Sequence, residues 1–135
     1  SGRGFSYGLT LCNVIIYAEV GMQNTNFELI QGDTWSLDIY YEDSENNPIN
    51  ISNYSVIAEV RDKPGGSILC ATADMQDGIS LIDFPDTSNA VRVIFSPEKT
   101  FKFNLPKSAY QIKILETGDT LLSGWINVEP GVIDG

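Results

Sequence analysis

Five stretches of this chain alternate apolar and polar residues with a period of two, and turn residues separate them. Trp35, Leu37, Ile39 and Tyr41 alternate with Ser36, Asp38 and Tyr40. Tyr54, Val56, Ala58 and Val60 alternate with Ser55, Ile57, Glu59 and Arg61. Val91, Val93 and Phe95 stand opposite Arg92 and Ile94, and Tyr110, Ile112 and Ile114 opposite Gln111 and Lys113. Leu122, Gly124, Ile126 and Val128 form the last apolar set, against Ser123, Trp125 and Asn127. A period of two sends successive side chains to opposite faces of a strand, so one face is buried while the other meets water. A helix cannot bury such a pattern.

The punctuation agrees. Lys63-Pro64-Gly65-Gly66 and Glu116-Thr117-Gly118-Asp119 are turns, the second with Gly118 free to take a positive φ. Pro85 to Asn89 reads as another turn, and Glu42 to Asn50, acidic and Asn-rich with Pro48, as a solvent loop. Phe27 to Ile30 is a short strand leading to a kink or bulge at Gly32. Gly78 to Asp83 is a further strand, with Ile79, Leu81 and Phe84 on one side, whereas Ile68 to Ala73 is ambiguous by period. Ser96 caps a single helical turn near residues 97–101, with Pro97 at its first position. These signals predict an all-β, antiparallel sandwich of about seven or eight strands. Its expected interior is Trp35, Leu37, Ile39, Val56, Ala58, Val60, Val93, Tyr110, Ile112, Ile126 and Val128.

At 135 residues the chain has the length of one domain, enough to bury roughly two-thirds of its unfolded surface. Its net charge of −10 repels nucleic-acid phosphates and anionic headgroups, so neither nucleic acid nor membrane is an expected partner. No apolar run reaches the roughly 18–20 residues that span a bilayer. Leu9 to Val20 does not read as a signal-peptide core, because Arg3 is its lone basic flank, Asn13 interrupts it, and Glu19 sits at the cleavage end. It reads as a strand, with Thr10, Cys12, Val14, Ile16, Ala18 and Val20 on one face. Met22 resembles a natural start, so the expected organisation is an extension over 1–21 that adds one β-strand, and a sandwich domain over 22–135.

The chemistry on offer is sparse. The chain has no histidine, which removes thiolate–imidazole catalysis and the common zinc sites. Cys12 and Cys70 fall in strand-like runs and are expected as small core residues rather than a disulfide. Asp33, Asp38, Glu42, Asp43 and Glu45 are the oxygen donors a Ca²⁺ site would draw on, but they lack EF-hand spacing. Asp33, Asp38, Glu59 and Glu116 are the carboxylates from which a glycosidase pair would have to come, with nothing to choose among them. Neither a nucleophile elbow nor a phosphate-binding glycine loop is present. The expectation is therefore no catalytic residue, no metal and no cofactor. Trp35, Trp125, Tyr40 and Tyr41 are the aromatics a sugar platform would use. Trp35 belongs to the inward set, while Trp125 and Tyr40 lie on outward sets and are the candidate partner-contact residues.

Several segments together resemble the immunoglobulin-like modules of bacteriophage virions, in particular the N-terminal domain of baseplate upper proteins and related small tail proteins. They are Phe27 to Thr34, the loop Asn47-Pro48-Ile49-Asn50, and Tyr54 with Ala58-Glu59-Val60-Arg61. The later part matches through Ser96-Pro97-Glu98-Lys99-Thr100, Tyr110-Gln111-Ile112-Lys113-Ile114 and Leu121 to Val128. The resemblance spans about Phe27 to Val132 and leaves out residues 1–21. It implies a non-enzymatic tail or baseplate module in the virion, assembled in the host cytoplasm, whose partners are other phage structural proteins. It carries over no catalytic residue. The alternatives are a carbohydrate-binding or adhesin-like sandwich using exposed aromatics, and a hydrolase with a carboxylate pair. An open sandwich also leaves strand edges unpaired. Leu9 to Val20 can complete one by exchange with a second copy, giving a homo-oligomer, or serve as an ordinary first strand.

Overall fold

A computed structural model describes residues 9–17, 23–82 and 90–131, with the backbone alone for 9–11. The turn expected at 85–89, the position of Phe84, and the boundary at Met22 lie outside the described residues.

The described chain forms ten strands and one short helix, packed as a two-layer sandwich. The strands are β1 (Leu9–Tyr17), β2 (Gln23–Asn24), β3 (Phe27–Ile30), β4 (Thr34–Glu42) and β5 (Val56–Arg61). They continue with β6 (Leu69–Ala73), β7 (Ile79–Ile82), β8 (Ala90–Phe95), β9 (Lys107–Ile114) and β10 (Thr120–Glu129), and α1 is Pro97–Thr100. One sheet runs β1-β4-β8-β7. The other runs β2-β10-β9-β5-β6, with β3 also paired to β10.

The all-β sandwich read from the alternation is the observed fold, with two differences. There are ten strands rather than seven or eight, partly because β2 has two residues, too short to show any period. The sheets are also mixed: β1 runs parallel to β4, and β2 and β3 run parallel to β10. Each sheet of this sandwich buries one face whichever way its strands run, so strand direction leaves no trace in the alternation. Leu9–Tyr17 forms a strand of the smaller sheet, paired with β4 from Leu9↔Thr34 to Tyr17↔Glu42, while Ala18 to Val20 lie outside the described residues.

All eleven expected interior residues are buried, with Val60, Leu37 and Ile126 completely so. Ile51, Phe103 and Leu121 join them unforeseen. Leu121 owes its place to a register shift between Thr120 and Leu122, which turns two adjacent leucines inward. Ile51 sits in a loop, where periodicity carries no information. Cys12 and Cys70 are free thiols, both partly buried against the core.

The helix braces the turn between β3 and β4. Ser96 caps it by accepting from the Lys99 N–H at 3.4 Å. Thr100, fully buried, accepts the Gly32 N–H at 3.0 Å and donates to the Asp33 carbonyl at 2.9 Å. Gly32 has φ +93°, and a Cβ there would meet the Phe101 ring at 2.6 Å. It is therefore a turn residue packed under an aromatic ring, which only glycine tolerates.

Val60→Asp places an unpaired charge in the centre of the sandwich and is expected to cost roughly 3–5 kcal/mol in denaturant unfolding. Thr100→Val keeps the shape but strands the Gly32 N–H, and is expected to cost about 1–3 kcal/mol in the same experiment. A Val60→Asp midpoint equal to wild type would contradict the packing described.

Candidate functional site

The outer face of the larger sheet is not flat. Register aligns Trp125 with Ala109 and Arg61 in one row across β10, β9 and β5, and Ser123 with Gln111 and Glu59 in the next. Ala109 points outward yet is buried, because its small side chain lies directly across from the Trp125 indole. On one flank the chain reverses through Lys63-Pro64-Gly65-Gly66. The Gly66 N–H donates to the Lys63 carbonyl at 2.9 Å, and Gly65 takes φ +68°, the geometry of a turn with proline leading glycine. Arg61 holds that turn by donating from Nη1 to the Gly66 carbonyl at 3.2 Å.

The opposite flank is the interruption between β2 and β3. Thr25 donates its N–H to the Ser123 carbonyl at 2.9 Å, and the Trp125 N–H donates to Asn26 Oδ1 at 2.9 Å. Tyr110 reaches through from the core to donate its hydroxyl to the Thr25 carbonyl at 2.5 Å. This stitch requires Gly124, where a Cβ would sit 2.1 Å from the Thr25 oxygen. Between the flanks lies a concavity of about 460 Å³, lined among others by Asn24, Asn26, Glu59, Arg61, Gln111 and Trp125.

Charge at this concavity runs against the rest of the molecule. Arg61 and Lys63 line it. Lys107 Nζ stands 4.1 Å from the centroid of the Trp125 ring. Glu59 is the acidic residue of the lining and pairs with Arg61 at 3.4 Å. Both side chains of that pair are partly open to water, so it orients the guanidinium more than it stabilises the fold.

The two outward aromatics do not meet. Trp125 is half-buried at this concavity, whereas Tyr40 is half-buried on the outer face of the other sheet, between Ile15 and Ala90. Trp35 is core, and Tyr41 packs against the core from β4. The carboxylates are similarly dispersed. Asp38 accepts two hydrogen bonds from Arg92, at 2.8 and 3.0 Å. Asp43 accepts the backbone N–H groups of Glu45 and Asn47, which hold its carboxyl below the usual range. Glu116 accepts the Ser55 N–H at 2.7 Å and is lowered in the same way. Asp38 and Glu59 occupy different sheets, and Asp33 lies in the braced turn before β4. Among the described residues, no three acidic or sulfur side chains gather where they would hold a metal ion.

Gln111, Asn26 and Lys63 were not legible as site residues. Gln111 shares a row with Glu59 and Ser123, a fact available only once the register of β5, β9 and β10 is known. Asn26 and Lys63 come from loops, whose placement the strand pattern does not determine.

No family model matches the chain, and no curated protein matches its sequence. Among solved structures, it is similar to the N-terminal domain of phage TP901-1 ORF48. The identity is 8% and the TM-score 0.50, over 87% of this chain and 98% of that one. At that identity the likeness is one of fold. A structure of auracyanin B shares 11% identity over 88% of this chain and 89% of that one, with a TM-score of 0.36 that carries no argument.

Burial raises the pKa of the Tyr110 hydroxyl and of the Cys12 and Cys70 thiols. Groups raised in the folded state favour it below their unfolded values, and that advantage is lost as pH climbs through the folded ones. Stability should hold up to the ordinary thiol and phenol values of 9.0 and 10.0 and decline above them. Urea unfolding across that range checks the sign, and Tyr110→Phe should flatten part of the decline.

Proposed function

We propose that this chain is a non-enzymatic structural module of a bacteriophage virion, of tail or baseplate type, which docks other virion proteins through an immunoglobulin-like sandwich. The observation that carries the reading is the fold likeness to the N-terminal domain of phage TP901-1 ORF48, which takes in nearly all of that domain. It joins a resemblance drawn independently from the strand and turn residues between Phe27 and Val132. The module works in the assembled particle, after assembly in the host cytoplasm. Its net charge of −10 disfavours nucleic acid and anionic membrane surfaces as partners.

Docking through strand edges suits the topology. β1 is a nine-residue edge strand with β4 on one side. Among the described residues no strand pairs with its other side, where backbone groups can meet a partner strand, although the Tyr17 N–H at its end donates to Gln23 Oε1 at 3.3 Å. The edge at β6 is partly blocked, because Lys99 Nζ donates to the Thr72 carbonyl at 2.8 Å. Exchange of β1 between two copies would use the same pairing with β4 and produce a homo-oligomer.

Mass spectrometry of purified particles from a phage encoding this chain should find it at a stoichiometry comparable to other structural proteins. Its absence from particles that contain their remaining structural proteins would overturn the reading. Ester, phosphate and glycoside substrates should show no turnover above background, and turnover abolished by substituting one carboxylate would contradict the non-enzymatic assignment. Light scattering distinguishes exchange from in-chain pairing. If exchange operates, the full chain associates with rising concentration and a chain beginning at Met22 does not; if both stay monomeric, exchange is ruled out.

A further inference from the structure

The concavity around Trp125 gathers chemistry that docking through strand edges does not use. Trp125 is one of two tryptophans in the chain, and the other, Trp35, is buried in the core. An indole held on an outer sheet face offers a broad, rigid apolar surface at low entropic cost. Its backbone is pinned by Asn26, its row-mate Ala109 leaves room for the ring, and Lys107 stands against the ring without lining the concavity. A cation already on the indole offsets the ring's negative face, so a second cation gains little there.

Around the indole stand a guanidinium, a carboxylate and three carboxamides, from Arg61, Glu59, Gln111, Asn24 and Asn26. Part of this capacity is already used, since Gln111 Nε2 donates to Thr120 Oγ1 at 2.9 Å and Asn26 Oδ1 accepts the Trp125 N–H. The remaining donors and acceptors of these planar groups match neighbouring hydroxyls on a ring. The C–H face of a pyranose is the apolar complement of an indole. Net charge narrows the class further. With Glu59 paired to Arg61, Lys63 and the remaining donors of Arg61 leave the concavity positive, on a chain whose overall charge is −10. Arginine binds carboxylate and phosphate in bidentate fashion.

We propose that this concavity is a saccharide-binding site for a pyranose bearing an anionic substituent, with Trp125 as the stacking platform and Arg61 and Lys63 as the anion contacts. The inference does not depend on the virion assignment. Its test can fail while that assignment stands.

The test titrates the full chain by calorimetry and tryptophan fluorescence with four probes: oligogalacturonate, a phosphorylated oligomannose, a neutral maltooligosaccharide and a polyglutamate peptide. At least one anionic saccharide should bind saturably, and comparing the two separates carboxylate from phosphate recognition. Trp125→Ala should abolish binding while Trp125→Phe retains it, and circular dichroism should show the same strand spectrum for both. Lys63→Gln, on an exposed turn, should weaken the anionic probe by roughly fivefold to tenfold, the scale of one exposed charge contact. Binding that survives Trp125→Ala overturns the proposal, as does no saturable binding by either anionic saccharide. Equal binding of the neutral oligomer overturns the anionic part. Binding of polyglutamate alone replaces the saccharide with an acidic peptide.

Discussion

The sandwich is pinned by the packing of Trp35. Its indole, on β4 of one sheet, meets Phe27 and Tyr110 of the other at centroid distances of 5.4 and 5.7 Å, both edge-on. It stacks on Phe95 at 5.6 Å within its own sheet, and Phe103, from the segment after the helix, closes the group at 6.3 Å. Edge-to-face contacts of this kind have a preferred geometry, so they set how the sheets sit as well as holding them together. The indole N–H is buried with no hydrogen-bond partner among the described residues, and Cys12 packs against the same core. Cys12 belongs to β1, so the core reaches the N-terminal strand as well.

From that centre the structure is locked at two remote points. At one end Thr100 and Gln31 tie the β3–β4 turn to the short helix, and Gln31 also accepts from the Gly131 N–H while its own N–H donates to the Glu129 carbonyl. At the other, Tyr110 leaves the aromatic cluster to hold the Thr25 carbonyl against Gly124. One residue thus belongs both to the core and to the wall of the outer concavity. The shape of the candidate site is a consequence of core packing, and a scaffold built this way presents its surface groups with little freedom.

The two outer faces then differ in character. On the smaller sheet the buried Asp38 is held by Arg92, with Ile15 and Ile94 exposed nearby in the flanking rows. On the larger sheet a loop and a strand interruption rise on either side of Trp125 and make a hollow. There an aromatic stands among amides and a guanidinium within a hollow, the arrangement ligand sites favour, whereas the described face of the smaller sheet presents the Asp38–Arg92 pair and scattered apolar groups.

Alternation alone determined which residues of β4, β5, β8, β9 and β10 face inward, because a period of two leaves no other way to bury Trp35, Val60, Val93, Ile112 and Ile126 together. It likewise placed Trp125 and Tyr40 outward. Proline and serine rules located the helical turn, since Ser96 and Pro97 act through local geometry. Only the tertiary structure decided strand direction, the pairing of β1 with β4, and the inward turn of Leu121 at a bulge. It alone decided that Trp125 and Tyr40 belong to different surfaces, and that Arg61, Gln111 and Asn26 gather around the first of them. These facts depend on contacts between residues far apart along the chain, such as Thr25 with Tyr110 and Asn26 with Trp125. A local pattern constrains the face of a side chain but not its neighbour across the sheet.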